Sequence, residues 1–369
     1  MKILVVVALV SPSGEYGGPT RVAVNQAVEL QNLGHDVTIV AGARGYEGDP
    51  PTELDGVPAA LFEAKQALPR TGFAGLSAPG LRRALPQLAA SVDVMHIHLA
   101  RDLLTLPVAA WARRHGVPYV LQTHGMVAPT KNPLALPLDA LLTRRVLRGA
   151  RRVFYLTPRE HDELIEVAGE RMLLSQLGNG VPIPAEPRIT PAVTELLYLA
   201  RLAARKRPEL FVELACELAK EFPQAVFRLV GPDEGAGPEV QRRIAEAGPG
   251  VNIRWEGSIA PDAVPARMAR ASVYVLPAVD EPYPMSVLEA MAMAIPVVVT
   301  DSCGLAPLVR ESGCGVVVGR ELAELVDGVR GLLDDPERAA ECGRRGRRTA
   351  QERLGMPAVA RRLEEAYAA

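Results

Sequence analysis

Glu281 and Glu289 stand eight residues apart in VDEPYPMSVLEAMAMAIPVVVT, bracketing a turn and a helix start, a combination that suggests a site for a phosphorylated sugar. Pro282, Tyr283 and Pro284 keep Glu281 out of a helix, whereas MSVLEAMAMA is a strong helix former that puts Glu289 within its first turns. The first N–H groups of that helix have no intrahelical partners and carry positive potential suited to a diphosphate. Acidic residues are common on surfaces, so the spacing acquires meaning only from the rest of the chain.

Four further groups have suitable chemistry. Arg201 and Lys206 in LARLAARKRP fall where a strand ends and a helix begins, and two cations there can neutralise a departing diphosphate, Arg through its planar fork and Lys as a point charge. Arg205 and Arg207 read as surface charges. His124 in QTHGM follows an apolar strand and precedes Gly125. It could donate to a sugar hydroxyl or act as an acid or base, although His96, His98 and His161 are also available and a lone histidine is more often structural. In SPSGEYGGPTR, Gly14, Gly17 and Gly18 follow the first strand, where glycine permits positive φ and close approach of a ligand; a flexible loop is the plain alternative. The turn does not match GxGxxG, and no P-loop occurs, so dinucleotide and ATPase chemistry lose support. Arg144, Arg145, Arg148, Arg151 and Arg152 crowd one helix end. They complement its dipole or, less simply, attract anionic lipid headgroups or a lipid-linked phosphate.

These residues need strands that end beside them. Short β-branched runs supply candidates at 2–9, 37–41, 94–98, 118–123, 153–156 and 172–177, then at 195–200, 225–230, 251–255, 273–276, 296–300 and 315–318. Helical spacing fills the gaps, which predicts parallel sheets covered on both faces. NGVPIPAEPRITP divides the two runs and reads as a linker. The expectation is two doubly wound α/β domains, 1–184 and 185–354, facing across a cleft, with a last helix at 355–369 that crosses back to the first. Ligands of such sheets bind beyond the carboxyl ends of the strands, where Arg201, Gly231, Glu281 and His124 all fall.

Composition agrees. The chain has 369 residues, 48% hydrophobic and 23% charged, so two ordinary cores are expected. A net charge of −2 gives no sign of nucleic-acid binding. The four cysteines form no CxxC pair and suit neither a zinc site nor a disulfide framework. A cytoplasmic setting is expected, because the apolar opening MKILVVVALV runs into a Gly-rich turn without a small-residue cleavage site.

GGPTRVAVNQAVELQNLGHDVTIV, QTHGM, NGVP, YLARLAARKRP, RLVGPDEG and DEPYPMSVLEAMAMAIPVVVTD together resemble a family 4 type retaining glycosyltransferase of GT-B fold, over nearly the whole chain. The resemblance implies that Arg201 and Lys206 bind the donor diphosphate, Glu289 the ribose and Glu281 the donor sugar. It implies further that backbone N–H groups from Met285, Ser286, Val287 and Leu288 meet the phosphates, and that Gly231, Gly257 and Ser258 line the nucleoside pocket. Gly17 and Gly18 would approach the diphosphate and His124 the transferred sugar. Family members usually carry glycine where this chain has Pro284, and Pro284 suits a first helical position while removing one N–H. No DxD occurs, so the expected enzyme is a metal-independent, retaining hexosyltransferase that needs no cofactor. Its donor would be a nucleotide-diphosphate sugar and its acceptor a sugar or a lipid-linked molecule. Surface polysaccharide or glycolipid synthesis, with peripheral contact at the inner membrane face, follows from the same resemblance. Tyr46 to Pro86 carries few family signals, so the acceptor is not legible there. A nucleotide-sugar epimerase of the same fold and a noncatalytic sugar-nucleotide-binding subunit are the alternatives. Incubation with donor alone discriminates the epimerase, and nucleotide binding without turnover on any acceptor would mark the noncatalytic subunit.

Overall fold

The computed structural model describes residues 1–12, 17–68, 71–132, 135–185, 193–260 and 263–368, with Gly17 described by its backbone only. Gly14 and the 186–191 part of the Pro-rich stretch lie outside the described residues. The chain forms two compact units, Met1–Gly180 with Met356–Ala369, and Val181–Gly355.

The first unit contains β1 (Lys2–Val10), β2 (Asp36–Ala43), β3 (Glu53–Leu54), β4 (Val57–Glu63), the small hairpin pair β5 (Lys65–Gln66) and β6 (Leu76–Ser77), then β7 (Val94–His98), β8 (Tyr119–Gln122), β9 (Arg152–Tyr155) and β10 (Leu174–Gln176). Its main sheet runs β10-β9-β8-β7-β1-β2-β4-β3, parallel except where the two-residue β3 meets β4. Central β1 is buried from Ile3 to Val10 because both faces are covered. Ile3, Val5 and Val7 pack with Ala23, Ala27 and Leu30 of the helix Gly17–Asn32. Leu4 and Val6 face the opposite way, into a cluster with Leu81, Leu106 and Leu164. The closing helix Met356–Ala368 joins the Ile3 side of this sheet through Val359, Leu363 and Tyr367. β4 was not singled out in the sequence because VPAALFE, though apolar, has a single β-branched residue, a proline and two alanines; it lies second from the sheet's edge and is only partly buried.

The second unit holds β11 (Glu195–Leu199), β12 (Val226–Val230), β13 (Ile253–Trp255), β14 (Val273–Leu276), β15 (Val297–Thr300) and β16 (Gly315–Val318). The order is β13-β12-β11-β14-β15-β16, parallel throughout. Counting from β11, strands are added to one side and then, from β14, to the other. The connections leaving β11 and β14 therefore part in opposite directions, and a crevice opens beyond their carboxyl ends. The first unit repeats this logic, with β1 and β7 as the strands at the reversal. Among the described residues, no helix is long and apolar enough to cross a membrane.

Candidate functional site

In the second unit, the reversal brings together residues distant in sequence. β11 runs into Arg201 and the short 3-10 turn Ala204–Lys206, while β14 runs into the turn carrying Glu281. Lys206 Nζ lies 2.8 Å from Glu281 Oε2, and Arg205 approaches the same oxygen at 3.3 Å. Lys206 and Glu281 are 7% and 8% exposed, so this is a buried pair in the mouth of a crevice. Burial lowers the pKa of the Lys206 ammonium, and Glu281 counteracts that shift. Glu281 Oε2 is held by the two cations, with the Lys206 ammonium within hydrogen-bonding distance. Arg205 is thus more than the surface charge its sequence context suggested, because the backbone at Ala203–Lys206 turns tightly enough to swing both basic side chains toward one carboxylate.

The Glu281 turn is braced from the exits of two other strands, β11 and β15. Val279 N–H donates to the Arg205 carbonyl at 2.9 Å, and Gly304 N–H donates to the Glu281 carbonyl at 2.8 Å. Asp280, in the left-handed region at φ 51°, donates its N–H to Ser302 Oγ. Gly304 is a functional neighbour that the sequence reading missed. A Cβ there would sit 1.8 Å from the Pro282 carbonyl oxygen, so only glycine lets the β15 exit pass beneath the turn. The signal was a glycine shortly after a strand, a pattern too common to single out.

The helix Met285–Ala292 follows. Pro284 is its N-cap, not its first residue, with extended backbone at φ −70° and ψ 112°. Val287 N–H already bonds the Pro284 carbonyl at 3.2 Å, and Leu288 N–H falls where the intrahelical ladder starts. The four expected phosphate donors therefore reduce to Met285 and Ser286. The side chains of Val287 and Leu288 are core residues. Ser286 Oγ accepts from Tyr274 Oη at 2.6 Å, and the same hydroxyl lies 3.1 Å from the Leu199 carbonyl, which fixes the helix start to β11 and β14. Glu289 sits on the wall of this helix, half-buried.

Arg201 is paired with Glu234 at 2.6 Å, both about half exposed at 52% and 40%; a solvated pair of this kind is worth little and yields readily to a stronger anion. Glu234 went unnoticed in the sequence. Gly231, at the end of β12, has φ 146°, and a Cβ there would lie 2.0 Å from the Ala200 carbonyl oxygen. Its N–H and carbonyl are occupied by the Gly257 carbonyl and Trp255 Nε1, so it contributes space, not polar contacts. Gly257 at φ 80° borders open space and Ser258 is exposed.

In the first unit, Gly17 and Gly18 open the helix Gly17–Asn32, whose Thr20 hydroxyl donates to the Leu9 carbonyl at 2.8 Å and ties the helix start to the end of β1. A Cβ on Gly18 would meet nothing within 4 Å. His124 lies past β8 in the left-handed region, φ 50°. Its Nε2 is 2.7 Å from His98 Nδ1, and the Asn179 side chain bonds the same ring. Burial lowers its pKa to about 4. A ring with protein partners and so little basicity is poorly placed for proton transfer near neutrality. His96 bonds Tyr367 Oη at 2.8 Å and is fully buried, whereas His124 is only partly buried; His161 pairs with Asp162. Of the arginine cluster, Arg144 and Arg148 donate to the Val167 and Ala168 carbonyls, Arg151 to the Tyr367 carbonyl and Arg152 to Ser175. These bonds tie down neighbouring helix ends and strands. Among the described residues, no group of three or more His, Cys, Asp or Glu side chains is placed to hold a metal ion.

The family model for glycosyl transferases group 1 matches residues 184–349, and that for the glycosyl transferase 4-like domain matches 17–180. The chain is 26% identical over 369 residues to a D-inositol 3-phosphate glycosyltransferase of Nocardia farcinica, covering 90% of this chain and 80% of that one. It is also 26% identical over 332 residues to a GDP-mannose:cellobiosyl-diphosphopolyprenol alpha-mannosyltransferase of Xanthomonas oryzae pv. oryzae, covering 88% and 85%. The Anabaena HepE structure with UDP and glucose superposes with a TM-score of 0.77 at 19% identity, over 100% of this chain and 99% of that one. With two adjoining family matches spanning most of its length and both of its parallel sheets, the chain belongs to the group 1 (GT4-type) glycosyl transferases and is a glycosyltransferase of GT-B fold.

Proposed function

We propose that the enzyme transfers a hexose from a nucleotide-diphosphate donor to an acceptor hydroxyl with retention of anomeric configuration and without a metal ion. The observation that carries this reading is the buried Lys206–Glu281 pair at the β11–β14 reversal, beside the helix that starts at Met285. Lys206, Arg201 and the N–H groups of Met285 and Ser286 supply positive charge where a diphosphate develops negative charge on leaving, the electrostatic task a metal performs elsewhere. Arg201 exchanges Glu234 for the phosphates. Glu289 takes the ribose hydroxyls, Gly231, Gly257 and Ser258 the nucleoside, and Glu281 the sugar hydroxyls. Gly17 and Gly18 give the diphosphate room, and the His124 backbone meets the transferred sugar.

Two carboxylates also suit the double displacement of retaining glycosidases. Glu281, however, is held between two cations, which weakens it as a nucleophile and suits it to accepting hydroxyl hydrogen bonds. Departure of the diphosphate and attack by the acceptor on the same face follow, the leaving phosphate taking the acceptor's proton.

Relatives named for inositol phosphate and for a diphosphopolyprenol-linked sugar support a sugar-like or lipid-linked acceptor, in surface polysaccharide or glycolipid synthesis by a cytoplasmic enzyme. Peripheral membrane contact would rest on Leu136 and Leu141, 63% and 64% exposed, with the exposed Arg145. Thermal shift against UDP-, GDP- and ADP-sugars identifies the donor, since binding to the native state raises its stability. Product NMR then reads the anomeric configuration. An inverted product, or a requirement for Mg²⁺ or Mn²⁺ that survives in a saturating donor, would refute the mechanism; epimerised donor without acceptor would replace it with isomerisation.

A further inference from the structure

Glu160 is 4% exposed and lies in no ion pair among the described residues. Its helix, Pro158–Ala168, is capped by Thr157, whose hydroxyl accepts the Glu160 N–H at 3.2 Å. The sequence TPRE has the residues of a capping box, in which the third helical residue returns its carboxylate to the N-cap N–H. Here Glu160 Oε2 reaches one residue further back and accepts the Leu156 N–H at 2.7 Å. The other oxygen points elsewhere. Oε1 accepts the Thr123 hydroxyl and the Gly125 N–H, both at 2.5 Å.

Those two donors are the neighbours of His124 on either side. His124 and Gly125 are successive residues at positive φ, 50° and 73°. A left-handed histidine persists only where its surroundings over-determine it. Its ring is fixed by His98 and Asn179, and its backbone by the carboxylate that joins Thr123 to Gly125. Two of the three groups facing Glu160, the Leu156 and Gly125 N–H, are obligate donors, one at each oxygen, and an ionised carboxylate accepts from both and from the Thr123 hydroxyl as well.

We propose that Glu160 is a positioning residue of the transferase, a helix-capping carboxylate whose second oxygen sets the left-handed turn that presents the His124 backbone to the transferred sugar. This rests on the His124 role proposed above. Removing the negative charge loosens the turn without touching the groups that hold the nucleotide, because Arg201, Lys206 and Glu289 all belong to the other unit.

The test compares Glu160→Gln with Thr157→Ala in the full-length enzyme. Both weaken the cap of the same helix, but only the first changes the partner of Thr123 and Gly125. With the donor that thermal shift identifies, Glu160→Gln is expected to lower kcat at least tenfold while the nucleotide diphosphate Kd, by calorimetry, stays within twofold. Thr157→Ala is expected to keep kcat within twofold. In ¹⁵N and imidazole NMR of the unliganded protein, the Gly125 amide and His124 ring signals move in Glu160→Gln and stay in Thr157→Ala. Should Glu160→Gln fail to fold, Thr123→Val removes a single donor and is expected to shift the same signals and lower kcat about threefold or more. Equal losses in Glu160→Gln and Thr157→Ala, or a Glu160→Gln enzyme with unchanged kcat and unchanged signals, would overturn the proposal. If the wild type binds nucleotide but transfers no sugar, the reading of function fails, and the NMR comparison still decides whether Glu160 sets the turn.

Discussion

Acidification from pH 7 to pH 5 should destabilise the first unit through three histidines stacked side by side, His96 and His98 fully buried and His124 partly so. His96 has its pKa lowered to about 3 and His124 to about 4, each chiefly by burial, and His98 is lowered well below its ordinary 6.5. The rings stack at 4.7 and 5.0 Å, so a proton on one disfavours a proton on the next. The unfolded chain takes up protons as pH falls through 6.5 while the folded chain does not. Stability is therefore full above that value and is lost below it. At pH 5 the unfolded imidazoles lie about 1.5 units below their pKa, worth about 2 kcal/mol each at about 1.4 kcal/mol per unit, or about 6 kcal/mol for three. Asp102 opposes this. Burial raises its pKa from 3.8 to about 6, so the folded state gains a proton first and recovers about 1.4 kcal/mol at pH 5. Glu160, also raised by burial, acts in the same direction. The net loss is about 4 kcal/mol, a large share of the roughly 5 to 15 kcal/mol of an ordinary domain. The protein has two tryptophans, Trp111 in the first unit and Trp255 in the second. Urea unfolding of Trp255→Phe thus reports the first unit alone, and at about 2 kcal/mol per molar its midpoint should fall by about 2 M. His98→Asn, whose amide can replace Nδ1 toward His124, should recover about 2 kcal/mol of the loss. A midpoint that rises or holds between pH 7 and pH 5, or a His98→Asn variant with an undiminished loss, would refute the reasoning.

Three other outcomes follow from named contacts. Glu289→Ala should weaken nucleotide binding by about 1 to 3 kcal/mol, the usual worth of hydrogen bonds to a charged acceptor, whereas Glu281→Ala should lower kcat with nucleotide affinity nearly unchanged; calorimetry with single-turnover transfer separates them, and wild-type rates in both would reject the assignments. Lys206→Met leaves Glu281 buried with only the half-exposed Arg205, so it should cost about 3 kcal/mol or more of second-unit stability, read by urea unfolding at Trp255. Gly231→Ala forces a Cβ onto the Ala200 carbonyl at 2.0 Å with φ 146°, and a loss of more than about 2 kcal/mol is expected in the same assay.

The strands were legible because a strand covered on both faces leaves a continuous apolar run. Val273–Leu276 and Val297–Thr300 are buried at every residue, and VYVL and PVVVT announce them. β4 was not legible, because its apolar run VPAALFE carries a proline, two alanines and a single β-branched residue, so it lacks the marks of a strand. The site divided in the same way. Lys206 and Glu281 could be placed at strand ends from local sequence, but that Arg205 turns toward the same carboxylate depends on a tight turn braced by Val279 N–H from another strand. His124 could be chosen for its position after β8, yet the fate of its ring was set by His98 and Asn179, which lie on other segments.

What the sequence by itself determined was the alternation of strand and helix, the two-sided burial of each sheet, and a set of polar residues at strand ends. Those are local properties, written in periodicity and turn chemistry within a few residues. The tertiary structure alone decided that β11 and β14, more than seventy residues apart, lie side by side at the reversal, and so which cations meet Glu281. It alone decided that a glutamate capping one helix also grips the turn at His124. Partner choice of this kind is fixed by strand order and loop closure, and a carboxylate's neighbours in space leave no mark in the residues beside it in the chain.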